Sequence, residues 1–237
     1  MSDLLRFAVA AHGGLARWRE LNWVTIRASG GGALFTLKGY PGILSTPMEL
    51  SAHTRRPHLT CIPFLDADQG DWSPERVTIR RGDGLESRDD PRSASLAVPF
   101  DKAWDPAHLM YFIGYAIWNY LVTPFLFTWA GFDVQEVAPW TENGETWRRL
   151  RVRYPEGIPA HCRQQDLYFD DAGLLRRLDY SAEVLESPPA AHYCDDYQDF
   201  DGIMLATRRR AYHRLDDNTA DTRLCYIEVD ITDATCR

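Results

Sequence analysis

His192, Cys194 and Asp196 alternate along one run, and the two-residue period of a strand would put an imidazole, a thiol and a carboxylate on one face. Such a trio could ligate a metal. The other histidines and cysteines stand at no ligand spacing and no HExxH helix is present, so neither a metal site nor a cofactor is expected. The same region offers acid–base chemistry. His192, Asp196, Asp179, Glu183, Arg209 and His213 fall on consecutive expected strands, where side chains meet across a meander. A His192–Asp196 pair turned inward beside Tyr111 or Tyr115 would form a proton-transfer site in apolar surroundings, suited to an isomerase, cyclase or hydratase. The alternation argues against the acids as a group. Leu178, Tyr180, Ala182 and Val184 oppose Asp179, Ser181 and Glu183, so the apolar set faces the core and the acids face water. His192, Asp196 and Tyr111 remain as candidate catalytic residues. Nucleophile-elbow, P-loop and dinucleotide-binding motifs are absent.

A second set of candidates lies on the most apolar segment. Asp105-Pro106 is a helix start, with Asp as N-cap and Pro at the first helical position. From Pro106 to Phe132 there is no Asp, Glu, Lys or Arg, and a helix is expected over 105–130. Its length could span a bilayer. His108, Asn119 and Pro124 interrupt the run, and Asp residues rather than basic anchors flank it. A helix apolar all round must be covered on most sides, and the concave face of a curved sheet would cover it. Tyr111, Tyr115, Trp118 and Asn119 share one of its faces by three- and four-residue spacing, with Phe112 and Ala116 adjoining. Either that face fills the barrel, or its few polar groups line an apolar cavity and bind a ligand. Pro124 should kink or end the helix near Leu121.

These residues need a frame. A chain of 237 residues, 45% hydrophobic, can bury a core without disulfides or metals. Short helices are expected over 2–21 and strands over 23–80, with a hairpin tip at Gly30-Gly31-Gly32 and a returning strand Leu34–Tyr40. Gly84–Pro99 reads as a polar loop. Strands resume over 146–232. Ten or so strands at even spacing, joined by tight turns, indicate one antiparallel meander forming a single domain over 1–237. A net charge of -8 excludes a phosphate-backbone binder, so no nucleic acid is expected. Five cysteines without CxxC spacing and an N-terminus without a basic leader point to a reducing cytoplasm.

The opening AHGGLARWRELNWVTIRASGG resembles the start of LolA/LolB-like lipoprotein-carrier folds, in which a helix and a Gly-Gly turn precede the first strand. DDAGLLRRLDYSAEV, then HYCDDYQDFDGIMLATRRRAYHR, resemble their late turns, hairpin and basic strand. The resemblance implies an unclosed β-barrel with helices plugging its hollow face and a task of holding an acyl chain or similar hydrophobe. The expected fold is α+β, mainly β: a single antiparallel curved sheet wrapped around a long apolar helix. The expected function is binding of a hydrophobic or aromatic small molecule, or an acyl chain, between sheet and helix. The alternative is a cofactor-free enzyme using the same cavity. Peripheral membrane contact is compatible with either, and nothing in the sequence sets an oligomeric state.

Overall fold

The structure, a computed structural model, describes residues 1–43 and 45–237. Among the described residues thirteen strands make one antiparallel sheet. β1 (Trp23–Gly31) lies near its middle. The chain runs outward from β1 through β2 (Met48–His53), β3 (Leu59–Ile62), β4 (Gln69–Trp72), β5 (Arg76–Arg81) and β6 (Gly84–Asp89), each hydrogen-bonded to the one before. It resumes at the opposite edge with β7 (Asp133–Glu142). From there it returns through β8 (Glu145–Arg153), β9 (Gln164–Phe169), β10 (Leu175–Ser181), β11 (Pro189–Phe200), β12 (Ile203–Arg214) and β13 (Ala220–Cys236), which pairs with β1. β6 and β7 do not pair with each other, so the barrel stays open.

Because β6 and β7 are opposite edges, the segment joining them must cross a face of the sheet. It carries α4 (Pro91–Leu96), α5 (Pro106–Val122) and a 3-10 turn, Phe125–Thr128. A crossing element is covered by the sheet as it covers it, which accounts for the missing charge: every residue from Leu109 to Val122 is buried. The Asp105 carboxylate caps α5 by accepting from the His108 N–H at 2.9 Å. α5 packs on β2, β3, β4 and β5. Its contact with β4 is so close that a Cβ at Gly114 would lie 2.3 Å from Trp72 Cγ. Two further helices, α1 (Asp3–Ala11) and α2 (Gly14–Glu20), sit against β8 and β12 and bury Leu4, Leu5, Ala8, Val9 and Trp18. Among the described residues no helix is long and apolar enough to cross a membrane.

Several expectations are corrected. The central helix is 17 residues, not the length of 105–130. It stops at Val122 because Pro124 lacks the N–H and its ring excludes the preceding turn. Leu34–Tyr40 is no returning strand; its place is taken by α3 (Ala33–Leu37). The glycines before it run against β13, where a Cβ at Gly30 or Gly32 would meet Glu228 O at 2.0 Å or Tyr226 O at 2.3 Å. They seat β1 on β13 rather than forming a hairpin tip. The polar stretch 84–99 holds β6 and α4, and β7 precedes the range over which strands were expected to resume. Edge strands such as β6 and β7 bury little, so their sequences show no clean apolar alternation.

Asp179 does face the convex side, but it is only 5% exposed. It holds the fully buried Arg177 through bonds of 2.7 and 2.9 Å, and Glu142 of β7 adds a third at 2.7 Å. Paired charges, with the Tyr168 hydroxyl donating to Asp179 at 2.6 Å, make this burial tolerable.

Candidate functional site

The register of the sheet stacks its concave side chains in rows. Leu178, His192, Ala211 and Ile227 stand opposite one another on β10, β11, β12 and β13. One two-residue step away, about 6.7 Å, Tyr180 pairs with Ala190. One step the other way, Cys194, Arg209 and Val229 form the next row. α5 presents Phe112, Ala116 and Tyr120 to these rows at four-residue spacing.

Into this space comes His161, from the loop between β8 and β9. Asn119 pins that loop by donating to Pro159 O at 2.8 Å. The His161 Nδ1 lies 3.0 Å from the Tyr115 hydroxyl, and its Nε2 lies 2.9 Å from that of Tyr120. The Tyr120 hydroxyl is 3.5 Å from that of Tyr180, which is 3.4 Å from His192 Nδ1. Tyr115, His161, Tyr120, Tyr180 and His192 thus form one line of polar groups through an apolar interior.

All five are uncharged near neutral pH. Burial, reinforced by the Arg92 cation, lowers His161 to about 3. Burial also holds His192 well below its ordinary value, with Arg209 and His161 adding to the effect. Burial raises Tyr120 to about 12 and takes Tyr115 and Tyr180 upward as well. A neutral imidazole has one N–H and one lone pair, so of Tyr115 and Tyr120 one donates to His161 and the other accepts. The line can pass a proton along hydroxyls and imidazoles. It holds no activated nucleophile.

His161 and Tyr180 border a cavity of about 80 Å³, bounded also by Phe112, Ile227, Leu34, Phe100 and Leu185. Phe112 and Ile227 also border an apolar void of about 20 Å³. A further void of about 10 Å³ lies among Tyr120, His161 and Arg209. Elsewhere, Arg92, Tyr111, Tyr154 and Cys162 bound a cavity of about 240 Å³.

The residues singled out from sequence are dispersed. Tyr111 borders the 240 Å³ cavity and accepts from Arg92 Nη1 at 3.2 Å. Tyr115 belongs to the polar line. Trp118 turns toward β2, where Nε1 donates to His53 O at 2.9 Å. Asn119 binds backbone. Their hydroxyl, indole and amide N–H groups are thereby satisfied by protein rather than gathered around one void.

His192 is inward and fully buried, but Asp196 is exposed, and the two are not brought together. Asp196 and Thr207, which stand opposite each other, are left out of the β11–β12 ladder although its register does not shift; the left-handed φ of 55° at Asp196 turns the backbone there, and its side chain does not follow His192 and Cys194 inward. Among the described residues no group of three metal-ligating side chains is present.

Sequence reasoning missed the roles of His161, Tyr180 and Arg209. His161 sits in a loop with no periodicity to read. The β12 alternation does place Arg209 on the face of Ala211, a signal that the surrounding run of arginines hides.

No protein-family model matches the chain, and no curated protein sequence does. Solved structures do. Over 98% of its length the chain is similar to a LolA superfamily protein from Nitrosomonas europaea, covering 92% of that chain at 5% identity with a TM-score of 0.54. Over 99% it is similar to a domain from Vibrio parahaemolyticus described as an outer membrane lipoprotein-sorting protein, covering 91% of that chain at 9% identity with a TM-score of 0.52. This likeness to a domain described by outer membrane lipoprotein sorting overturns the cytoplasmic placement expected from cysteine spacing and the N-terminal residues. The chain has the unclosed antiparallel β-barrel fold of the LolA-like structures.

Proposed function

We propose that the protein binds a hydrophobic small molecule or acyl chain between α5 and the concave rows of β10–β13. One observation carries this reading: an apolar cavity bordered by the neutral pair His161 and Tyr180 shares Phe112 and Ile227 as walls with a second apolar void. A binding site of this kind has apolar walls and few polar groups that fix orientation. At about 80 Å³ the cavity is smaller than the ~150 Å³ that accepts a benzene ring. A longer guest therefore seats only when Phe112 turns and joins the two voids. Likeness to a lipoprotein-sorting domain accords with a lipid-like guest.

A second reading, a cofactor-free isomerase, cyclase or hydratase, draws on the polar line that ends at the same cavity. It has less support, because His161 is held by two hydroxyls and Asp196 is far from playing the partner of His192.

The test is native mass spectrometry and solvent extraction of purified protein, followed by titration with an apolar fluorescent probe. A retained hydrophobe, released unchanged and displacing the probe, is expected. Failure of every apolar probe to bind removes the proposal, and release of a chemically altered guest favours the enzyme.

A further inference from the structure

Arg209 is a buried cation without a buried anion. It is 6% exposed. Its Nη1 meets Cys194 Sγ at 3.1 Å, its Nη2 donates to Tyr120 O at 3.3 Å, and its guanidinium lies 5.0 Å from the centre of the Tyr120 ring. Nε has no partner. Among the described residues no Asp or Glu forms an ion pair with it, whereas Arg177 on the other face is held by two carboxylates. The carbonyl of Tyr120 belongs to the last turn of α5, and a helix end supplies about half a negative charge. The rest is uncompensated, and an unpaired charge in a desolvated interior is costly. The adjoining void of about 10 Å³ is near the smallest that holds one water, and a water neutralises nothing.

A second unpartnered group stands one row away. His192 is fully buried, and its Nε2 has no partner. With Nδ1 accepting from the Tyr180 hydroxyl, Nε2 carries the proton and can donate. Arg209 Nε and His192 Nε2 are thus two donors without acceptors on adjacent rows. Both pack against Tyr120, whose ring centre lies 4.6 Å from that of His192 and 5.0 Å from the Arg209 guanidinium, and which also borders the apolar void lined by Phe112 and Ile227.

We infer that the guest is an acid: an amphipath whose carboxylate seats between Arg209 and His192 while its apolar chain runs out past Phe112 to the cavity mouth. The inference rests on the binding role proposed for that cavity. A carboxylate supplies the missing charge and accepts from both donors, which an alcohol or hydrocarbon cannot do.

Calorimetric titration of the full chain with dodecanoate and with dodecanol, at a pH where the acid is ionised, tests it. Wild type should bind dodecanoate about tenfold more tightly than dodecanol. Arg209→Met should bind the two alike. Without ligand it should melt no lower than wild type, since it loses an uncompensated charge rather than a structural ion pair. Equal affinity of wild type for acid and alcohol overturns the inference and leaves the cavity reading intact. So does a preference for acid that survives in Arg209→Met. A wild type that binds neither probe defeats the cavity reading and this inference together. The wild-type comparison stands even where the variant fails to fold.

Discussion

The His161 imidazole lies flat on the Tyr180 ring, 3.9 Å between centroids and 6° from parallel. This stack ties the β8–β9 loop to the concave face and forms one wall of the cavity. Both nitrogens of His161 are engaged, so the residue cannot be removed without orphaning two buried hydroxyls. His161→Ala is expected to cost about 2–4 kcal/mol, measured by urea unfolding followed through tryptophan fluorescence. A change within error of zero means that Tyr115 and Tyr120 find other partners.

Acid sensitivity follows from the same burial. The folded values of His161 and His12 are lowered to about 3 and about 4, both by burial, from 6.5. Between those values and 6.5 the unfolded chain binds more protons, so stability rises with pH. The contribution is complete above 6.5 and is lost as pH falls toward about 3. Asp179, raised by burial, opposes this on the acid side. Unfolding free energies measured across this window should climb with pH, by a few kcal/mol on the order-of-magnitude scale of such shifts. His12→Gln should flatten the slope, and an unchanged slope removes His12 from the account.

Gly114 separates helix propensity from packing. In an exposed helix, Gly→Ala stabilises by about 1 kcal/mol. Here the new methyl would sit 2.3 Å from Trp72 Cγ and 2.5 Å from its Cβ, so α5 and β4 must move apart. Gly114→Ala is expected to destabilise by about 2 kcal/mol or more. Chemical denaturation decides, and a stabilised variant would show that β4 yields easily.

Phe112 borders both the 80 and the 20 Å³ void. Phe112→Ala merges them, at a cost of about 3–5 kcal/mol in stability. Provided the variant stays folded, its affinity for an apolar fluorescent probe should rise above wild type. An affinity equal to or below wild type would mean that Phe112 is a wall contact rather than a divider.

On the convex face, Arg177→Met leaves Asp179 and Glu142 without their guanidinium. A loss of about 3–5 kcal/mol is expected. Pairing it with Asp179→Leu should recover part of that loss in a double-mutant cycle of thermal unfolding. Independent, additive losses would show that the buried pair is not coupled.

The strands of the second half were legible in the sequence because a half-buried strand alternates. Leu178 and Tyr180 against Asp179, and Ile227 and Val229 against Glu228, give register and face at once. The uncharged run after Pro106 declared a buried crossing element, and Pro124 declared its end. β6 and β7 were illegible for the converse reason, since an edge that buries little leaves no pattern. Where polar groups meet was decided by tertiary structure alone. His161 comes from an aperiodic loop, a left-handed backbone conformation at Asp196 turns that residue away from His192, and Arg177 is sheltered by an edge strand far away in sequence. A sequence records which face each side chain takes along its own element; which faces come together depends on the order of strands across the sheet, and no local spacing encodes it.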